Sequence, residues 1–172
     1  HYPSKYEPRY RFKSKRKMKY RPYQIDDIKF LAQHKAVACF NEQRTGKTPT
    51  ALGVCRVKGY KKIIIVCPAS MLYKWKEEFE TWLQLPCIVI DGIRDKKEKL
   101  MQNWEHGLII SYDTLKKSNK TEGFLHEVVA HKPDIIILDE AHRIRNRKTF
   151  TAKSIFFLGY RIKNKIALTG TP

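Results

Sequence analysis

The chain reads as an α/β domain, with a mostly parallel central sheet and helices on both faces. Three features support this. Short, nearly all-apolar runs such as Lys62-Ile63-Ile64-Ile65-Val66-Cys67 alternate with segments of helical spacing, the pattern of strands buried on both sides. One such run ends abruptly on Asp139-Glu140-Ala141-His142, where two acids have little reason to close a buried strand unless they do chemistry. Well upstream, Thr45-Gly46-Lys47-Thr48 supplies a turn suited to phosphate, again between a strand and a helix.

Taken in order, the elements follow from spacing and punctuation. Residues 1–19 form a basic arm and 20–172 the domain proper. Lys5, Arg9, Arg11, Lys13, Lys15, Arg16, Lys17, Lys19 and Arg21 face a single acid, Glu7, and Tyr2, Tyr6, Tyr10, Phe12 and Tyr20 lie among them. Over 10–20 the alternation of aromatic and basic residues predicts an extended strand that offers charge to a phosphate backbone. Residues 1–9 fit a solvated tail equally well. A helix is expected over 24–34, with Ile25, Ile28 and Leu31 on one face, then a strand over 36–40.

After the Gly-Lys-Thr turn a helix runs to about residue 58, followed by a β-branched strand over 62–67. Residues 70–83 carry Met71, Leu72, Trp75, Phe79 and Trp82 at helical spacing, so the two tryptophans are assigned to the core rather than to base stacking. Further strands are expected over 87–91, 108–112, 134–138 and 165–168, with helices near 95–104, 123–130 and 149–158. No internal repeat interrupts the alternation.

Composition narrows the function classes. With 172 residues the chain fits one domain that buries roughly 70% of its unfolded surface. Lys+Arg 35 against Asp+Glu 17 leaves +18, a field that attracts polyanions, nucleic acid first among them. No apolar run approaches the roughly 20 residues that span a bilayer, and no apolar stretch follows the basic start as a secretory signal would require. A membrane partner is therefore not expected. Cys39, Cys55, Cys67 and Cys87 lack C-x-x-C spacing and read as reduced, mostly buried thiols. They point to an intracellular protein. His34, His106, His126 and His131 show no ligand spacing and read as surface or packing residues. The start at His1 and the stop after Thr171-Pro172 read as cut points in a longer polypeptide, and the piece is expected to be monomeric.

Two segments carry the chemistry. In Asn41-Glu42-Gln43-Arg44-Thr45-Gly46-Lys47-Thr48, backbone N–H groups at the helix start and the helix dipole would cradle phosphates. Arg44, Thr45 and Gly46 form the cradle, Lys47 would reach the β- and γ-phosphates, and the Thr48 hydroxyl would ligate magnesium. Pro49 falls in the first helical turn, where its missing N–H costs little. Asn41 stands where the G-x-x-x-x-G-K-[ST] pattern has its first glycine. At the distant strand end, Asp139 would hold magnesium and Glu140 would orient and deprotonate the attacking water. The cofactors implied are ATP and Mg2+.

These segments, with several others in the same order, resemble the first RecA-like lobe of superfamily-two helicases, specifically the Swi/Snf-type ATPases that translocate on double-stranded DNA. The resemblance spans about residues 20–172. Tyr20-Arg21-Pro22-Tyr23-Gln24 is similar to the Q-like motif, which implies that Gln24 reads adenine. Residues 41–48 match motif I, although the family usually has glycine where Arg44 stands. Val66-Cys67-Pro68-Ala69-Ser70-Met71-Leu72 resembles motif Ia and Ile110-Ser111-Tyr112-Asp113-Thr114-Leu115 motif Ib, which makes Ser70, Ser111 and Thr114 candidate DNA-phosphate contacts. Asp139-Glu140-Ala141-His142-Arg143-Ile144-Arg145-Asn146 resembles motif II with the family's basic tail, adding Arg143 and Arg145. Leu168-Thr169-Gly170-Thr171-Pro172 matches motif III, so that His142, Thr169, Gly170 and Thr171 are expected to couple nucleotide state to a second RecA-like lobe. The compact span from Lys47 to Asp139 is similar to phage and bacterial members.

The resemblance implies a DNA-dependent ATP hydrolase whose isolated first lobe turns over poorly, because the second lobe supplies arginines to the transferred phosphoryl group. A strand-separating helicase or the motor of a restriction complex is the alternative within that class. Outside it stands a non-catalytic, basic nucleic-acid-binding module on an ATPase-like scaffold, against which the joint presence of Lys47, Thr48, Asp139 and Glu140 argues.

Overall fold

The computed structural model describes residues 19–39 and 46–170. Six strands form one sheet: β1 (Ala36–Cys39), β2 (Ile63–Cys67), β3 (Cys87–Ile90), β4 (Gly107–Ser111), β5 (Ile135–Leu138) and β6 (Asn164–Leu168). Their order is β1-β6-β5-β2-β4-β3, and every pairing is parallel. The helices are α1 (Pro22–Ala32), α2 (Lys47–Lys58), α3 (Leu72–Leu83), α4 (Arg94–Gln102), α5 (Tyr112–Leu115), α6 (Leu125–Ala130) and α7 (Phe150–Arg161). Short 3-10 turns at Ala69–Met71 and Ala141–Ile144 complete the inventory.

The strands alternate with period two between two cores, which is why their sequences are apolar throughout. Ile63, Ile65, Cys67, Ile135 and Ile137 pack under α1, α2 and α3, while Ile64, Val66, Ile136 and Leu138 pack under α4 to α7. Right-handed crossovers account for the division. A step away from β1 puts its helix on one face, and a step back toward β1 puts it on the other.

The expected elements are present with shifted ends. The first helix starts at Pro22, two residues earlier than spacing suggested, because Pro22 takes the first helical position and Gln24 closes a capping box on Arg21. Its buried stripe is Gln24, Ile28 and Leu31, and Ile25 is 42% exposed. Rows at i, i+4 and i+7 stay on one face better than the i, i+3, i+6 row assigned from sequence. Residues 69–71 wind as a 3-10 turn before α3, and α5 went unforeseen because four residues show no period. Trp75 and Trp82 are buried, and Tyr20 stacks on Trp82 with ring centroids 4.7 Å apart. All four cysteines are free and buried. Apart from residues 19 and 20, which have no regular structure, the proposed strand over 10–20 lies outside the described residues.

Gly107 lets α3 approach the sheet. A Cβ there would collide with the Cys87 side chain and come within 2.6 Å of the Phe79 ring. Gly107→Ala should therefore destabilise the fold by about 1–3 kcal/mol through overpacking. A urea midpoint unchanged from wild type would show that Phe79 can move aside freely.

Candidate functional site

The strand ends named from sequence all emerge on the carboxyl edge of the sheet, where ligands bind in open parallel sheets. Because β6 lies between β1 and β5, the start of α2, the end of β6 and the acids after β5 are brought side by side. Main-chain hydrogen bonds carry the ladder past the strand ends: Asp139 N–H donates to Val66 O at 2.8 Å, and Thr169 N–H to Cys39 O at 3.2 Å.

Gly46 precedes α2 in the left-handed region, with φ +77°. A side chain is excluded there twice over, by this conformation and by Gln24 Nε2, which sits where a Cβ would be. Gln24 Nε2 donates to Gly46 O at 3.3 Å, and the Thr50 hydroxyl donates to the same oxygen at 3.0 Å. Gln24, 5% exposed, thus anchors the exit of the loop. Each end of its amide spends one of two hydrogen-bonding capacities on main chain, Oε1 accepting from Arg21 N–H at 2.9 Å. Lys47 and Thr48 occupy the first two positions of α2, with Pro49 third, so the missing N–H of the proline falls in the unbonded first turn. Arg44 and Thr45 lie outside the described residues.

Asp139 is the most constrained side chain of the edge. Its Oδ2 accepts from the Trp75 indole N–H at 2.9 Å, its Oδ1 from the Glu140 N–H at 3.0 Å, and its carbonyl from the Tyr112 hydroxyl at 2.6 Å. Burial pushes its carboxyl above the ordinary carboxylate range. The Glu140 charge adds to that, while the Trp75 and Glu140 N–H groups and the Lys47 ammonium pull it back. The start of α2 after β1 and the residues after β5 both lie on the carboxyl edge of the parallel sheet, so the amine and the acid are on the same side of the molecule. Burial, then the Asp139 charge, pushes the Cys67 thiol up to about 12, so it stays neutral.

Glu140 has φ +51°, a left-handed conformation rare for a residue with a side chain, and it starts the turn Ala141–Ile144. Such backbone costs about 1–3 kcal/mol and collects at functional sites. Glu140 Oε2 lies 3.1 Å from His142 Nδ1, both side chains being partly exposed. Arg143 and Arg145 project from the same turn and are exposed. Thr169 is buried and Gly170 half-buried beyond β6, and Thr171 lies outside the described residues.

The remaining candidates divide by exposure. Ser70 is exposed after β2. Ser111 is buried and caps α5, its hydroxyl accepting from Thr114 N–H at 3.2 Å and donating to Thr114 Oγ1 at 3.0 Å. Sequence reasoning missed the second roles of Trp75 and Tyr112. Apolar spacing correctly put Trp75 in the core, but nothing local says that its N–H meets an acid 64 residues away.

The sequence profile of the SNF2-related domain matches residues 9–172. The chain belongs to this family. Over 169 residues this SNF2-related domain is 27% identical to chromodomain-helicase-DNA-binding protein 1-like of Danio rerio, an alignment covering 88% of this chain and 16% of that protein. It is 33% identical over 115 residues to DNA repair and recombination protein RAD54B of Homo sapiens, covering 65% and 12%. Among solved structures, the Sulfolobus solfataricus SWI2/SNF2 ATPase core in complex with dsDNA superposes with a TM-score of 0.73 at 26% identity, over 91% of this chain and 33% of that one. The chain thus spans less than a fifth of those two relatives' length. The expected family and its RecA-like, sheet-and-helix fold are both borne out, and family membership implies nucleotide use.

Burying Asp139 as an anion has a consequence for stability. Its folded pKa lies above the unfolded one, so stability is full below the ordinary carboxylate value and is lost as pH rises through the raised one. Asp139→Asn should therefore be more stable than wild type at neutral pH, with the advantage vanishing in acid. Thermal melts across pH test this, and an advantage independent of pH would remove burial of charge as the cause.

Proposed function

We propose that the chain is the ATP-binding first motor lobe of a DNA-dependent ATPase that translocates on double-stranded DNA. The observation that carries this is the placement of Lys47, at the start of α2, and Asp139, after β5, on one carboxyl edge of the parallel sheet. The structural neighbour, itself in complex with dsDNA, supports the choice of nucleic acid, as does the net charge of +18.

In the proposed mechanism Lys47 and the first N–H groups of α2 hold the β- and γ-phosphates, and Gln24 keeps the loop exit in place. The donor set suits magnesium. Magnesium is bound through one or two carboxylates plus substrate phosphates, and the edge offers the Asp139 carboxylate close to the start of the phosphate-binding helix. The Thr48 hydroxyl and, through water, the Asp139 carboxylate would hold it, and when bound it would neutralise charge on the phosphate oxygens. Glu140, aimed by its left-handed backbone and engaged by His142, orients the attacking water and takes its proton. Ser70, Thr114, Arg143 and Arg145 face the duplex from the same edge. His142, Thr169, Gly170 and Thr171 relay the state of the phosphates to a second lobe.

Four outcomes are expected. Lys47→Ala should abolish binding of a fluorescent ATP analogue, and Glu140→Gln should keep binding while blocking phosphate release; hydrolysis surviving in either variant removes the assignment. This lobe alone should hydrolyse ATP far more slowly than an intact motor, since arginines contributed to the phosphoryl group are worth about 10³–10⁵ in rate. Duplex affinity should fall steeply with salt, because neutralised phosphates release counterions.

A further inference from the structure

Beyond the segments already assigned, the outer end of the carboxyl edge carries two cations without a counter-ion among the described residues. Three basic residues near the tips of β3 and β4, Arg94, Lys116 and Lys117, are matched by acids. Arg94 Nε lies 2.6 Å from Glu98 and its guanidinium rests 4.9 Å from the Phe124 ring centre. Lys116 lies 2.6 Å from Asp113, and Lys117 lies 3.1 Å from Glu122. Lys96 and Lys97, on the first turns of α4, differ. Among the described residues no carboxylate comes within ion-pair distance of either.

Asp91, just past β3, feels the charge of both lysines and is tied elsewhere. Its Oδ2 accepts from the Tyr73 hydroxyl at 3.0 Å and its Oδ1 from the Gly92 N–H at 2.8 Å. Those two donors, Gly92 first, hold its carboxyl below the ordinary range, with a smaller pull from Lys97 and Lys96. Asp91 is thus ionised and fixed, close enough to feel both ammonium groups but not free to swing and quench them. The turn also brings the Lys96 stem alongside Gly92. Gly92 has φ +100°, and the Lys96 stem lies 3.0 Å from where a Cβ would stand. On the other side Lys97 Nζ donates to Thr114 Oγ1 at 3.4 Å, itself bonded to Ser111, and this leaves two ammonium donors for a ligand.

We propose that Lys97 and Lys96 form a phosphodiester subsite at the tips of β3 and β4, with Thr114 positioning Lys97 and Asp91 opposing the incoming phosphate. The proposal rests on the duplex running along this edge, and it extends the track past Thr114 onto α4. Two variants at one spot then have opposite effects on DNA binding, which loss of folding cannot mimic. Lys97→Ala removes a phosphate contact, and Asp91→Asn removes a repelling charge while keeping an acceptor for Tyr73.

The test is fluorescence anisotropy of a labelled duplex against salt, using the full chain. Lys97→Ala should flatten the slope of log affinity against log salt by about 0.9, and Lys97→Arg should restore it. Across a four-fold rise in salt that is about a three-fold smaller loss of affinity. Asp91→Asn should bind more tightly than wild type. Lys163→Ala, which removes an equal charge at the amino edge of the sheet before β6, should leave the slope at its wild-type value. A wild-type slope in Lys97→Ala, an equal flattening in Lys163→Ala, or no gain in Asp91→Asn overturns the subsite. Wild-type binding that ignores salt would instead overturn the DNA reading on which it rests.

Discussion

Parallel pairing of β1, β6 and β5 is the constraint from which the site follows. Because neighbouring strands run in one direction and in matched register, Cys39 pairs with Leu168 and Ala167 with Leu138, so three chain segments far apart in sequence end together. The helix start that offers N–H groups and the acids that follow β5 are therefore delivered to one edge without any long-range contact between them. Two fully packed cores hold that register. A slip of one residue along any inner strand would exchange the side chains of the two faces.

The candidate site lies where the fold tolerates cost. Asp139 is buried enough to disfavour its charge, yet it is held by the Trp75 indole and its neighbour's N–H so that it presents its carboxylate in a set direction. Glu140 sits in a backbone conformation that most residues with a side chain avoid. Both departures fall in consecutive residues, and the helices beneath are unremarkable in their packing. A rigid core supports a strained rim, as expected when stability and activity make opposing demands.

Charge is distributed with a similar division of labour. Four acids among the described residues are held in local ion pairs with Lys or Arg, Arg94–Glu98 and Lys116–Asp113 among them. The excess of basic residues is therefore left to act outward, and on the carboxyl edge it includes Arg143, Arg145, Lys96 and Lys97. The composition stated only that a polyanion is attracted, whereas the pairing pattern states which cations remain to meet it.

Much was legible before any coordinates, because the relevant physics is local. Apolar runs bounded by turns declared the strands, and the Gly-Lys-Thr turn and the acid pair declared themselves by residue type in a strand-end context. Helix ends were less clear, since capping by Gln24 or Pro22 shifts a boundary without altering the apolar period. The partners of those residues were not legible at all. That Trp75 donates to Asp139, that Gln24 braces Gly46, and that Asp91 is tied down by Tyr73 are contacts across 64, 22 and 18 positions. They exist because sheet order and crossover handedness bring those side chains together, and neither is written in any single segment. By itself the sequence determined which chemistry the chain holds and on which kind of element. The tertiary structure decided which groups stand next to one another, because only packing converts distance along a chain into distance in space.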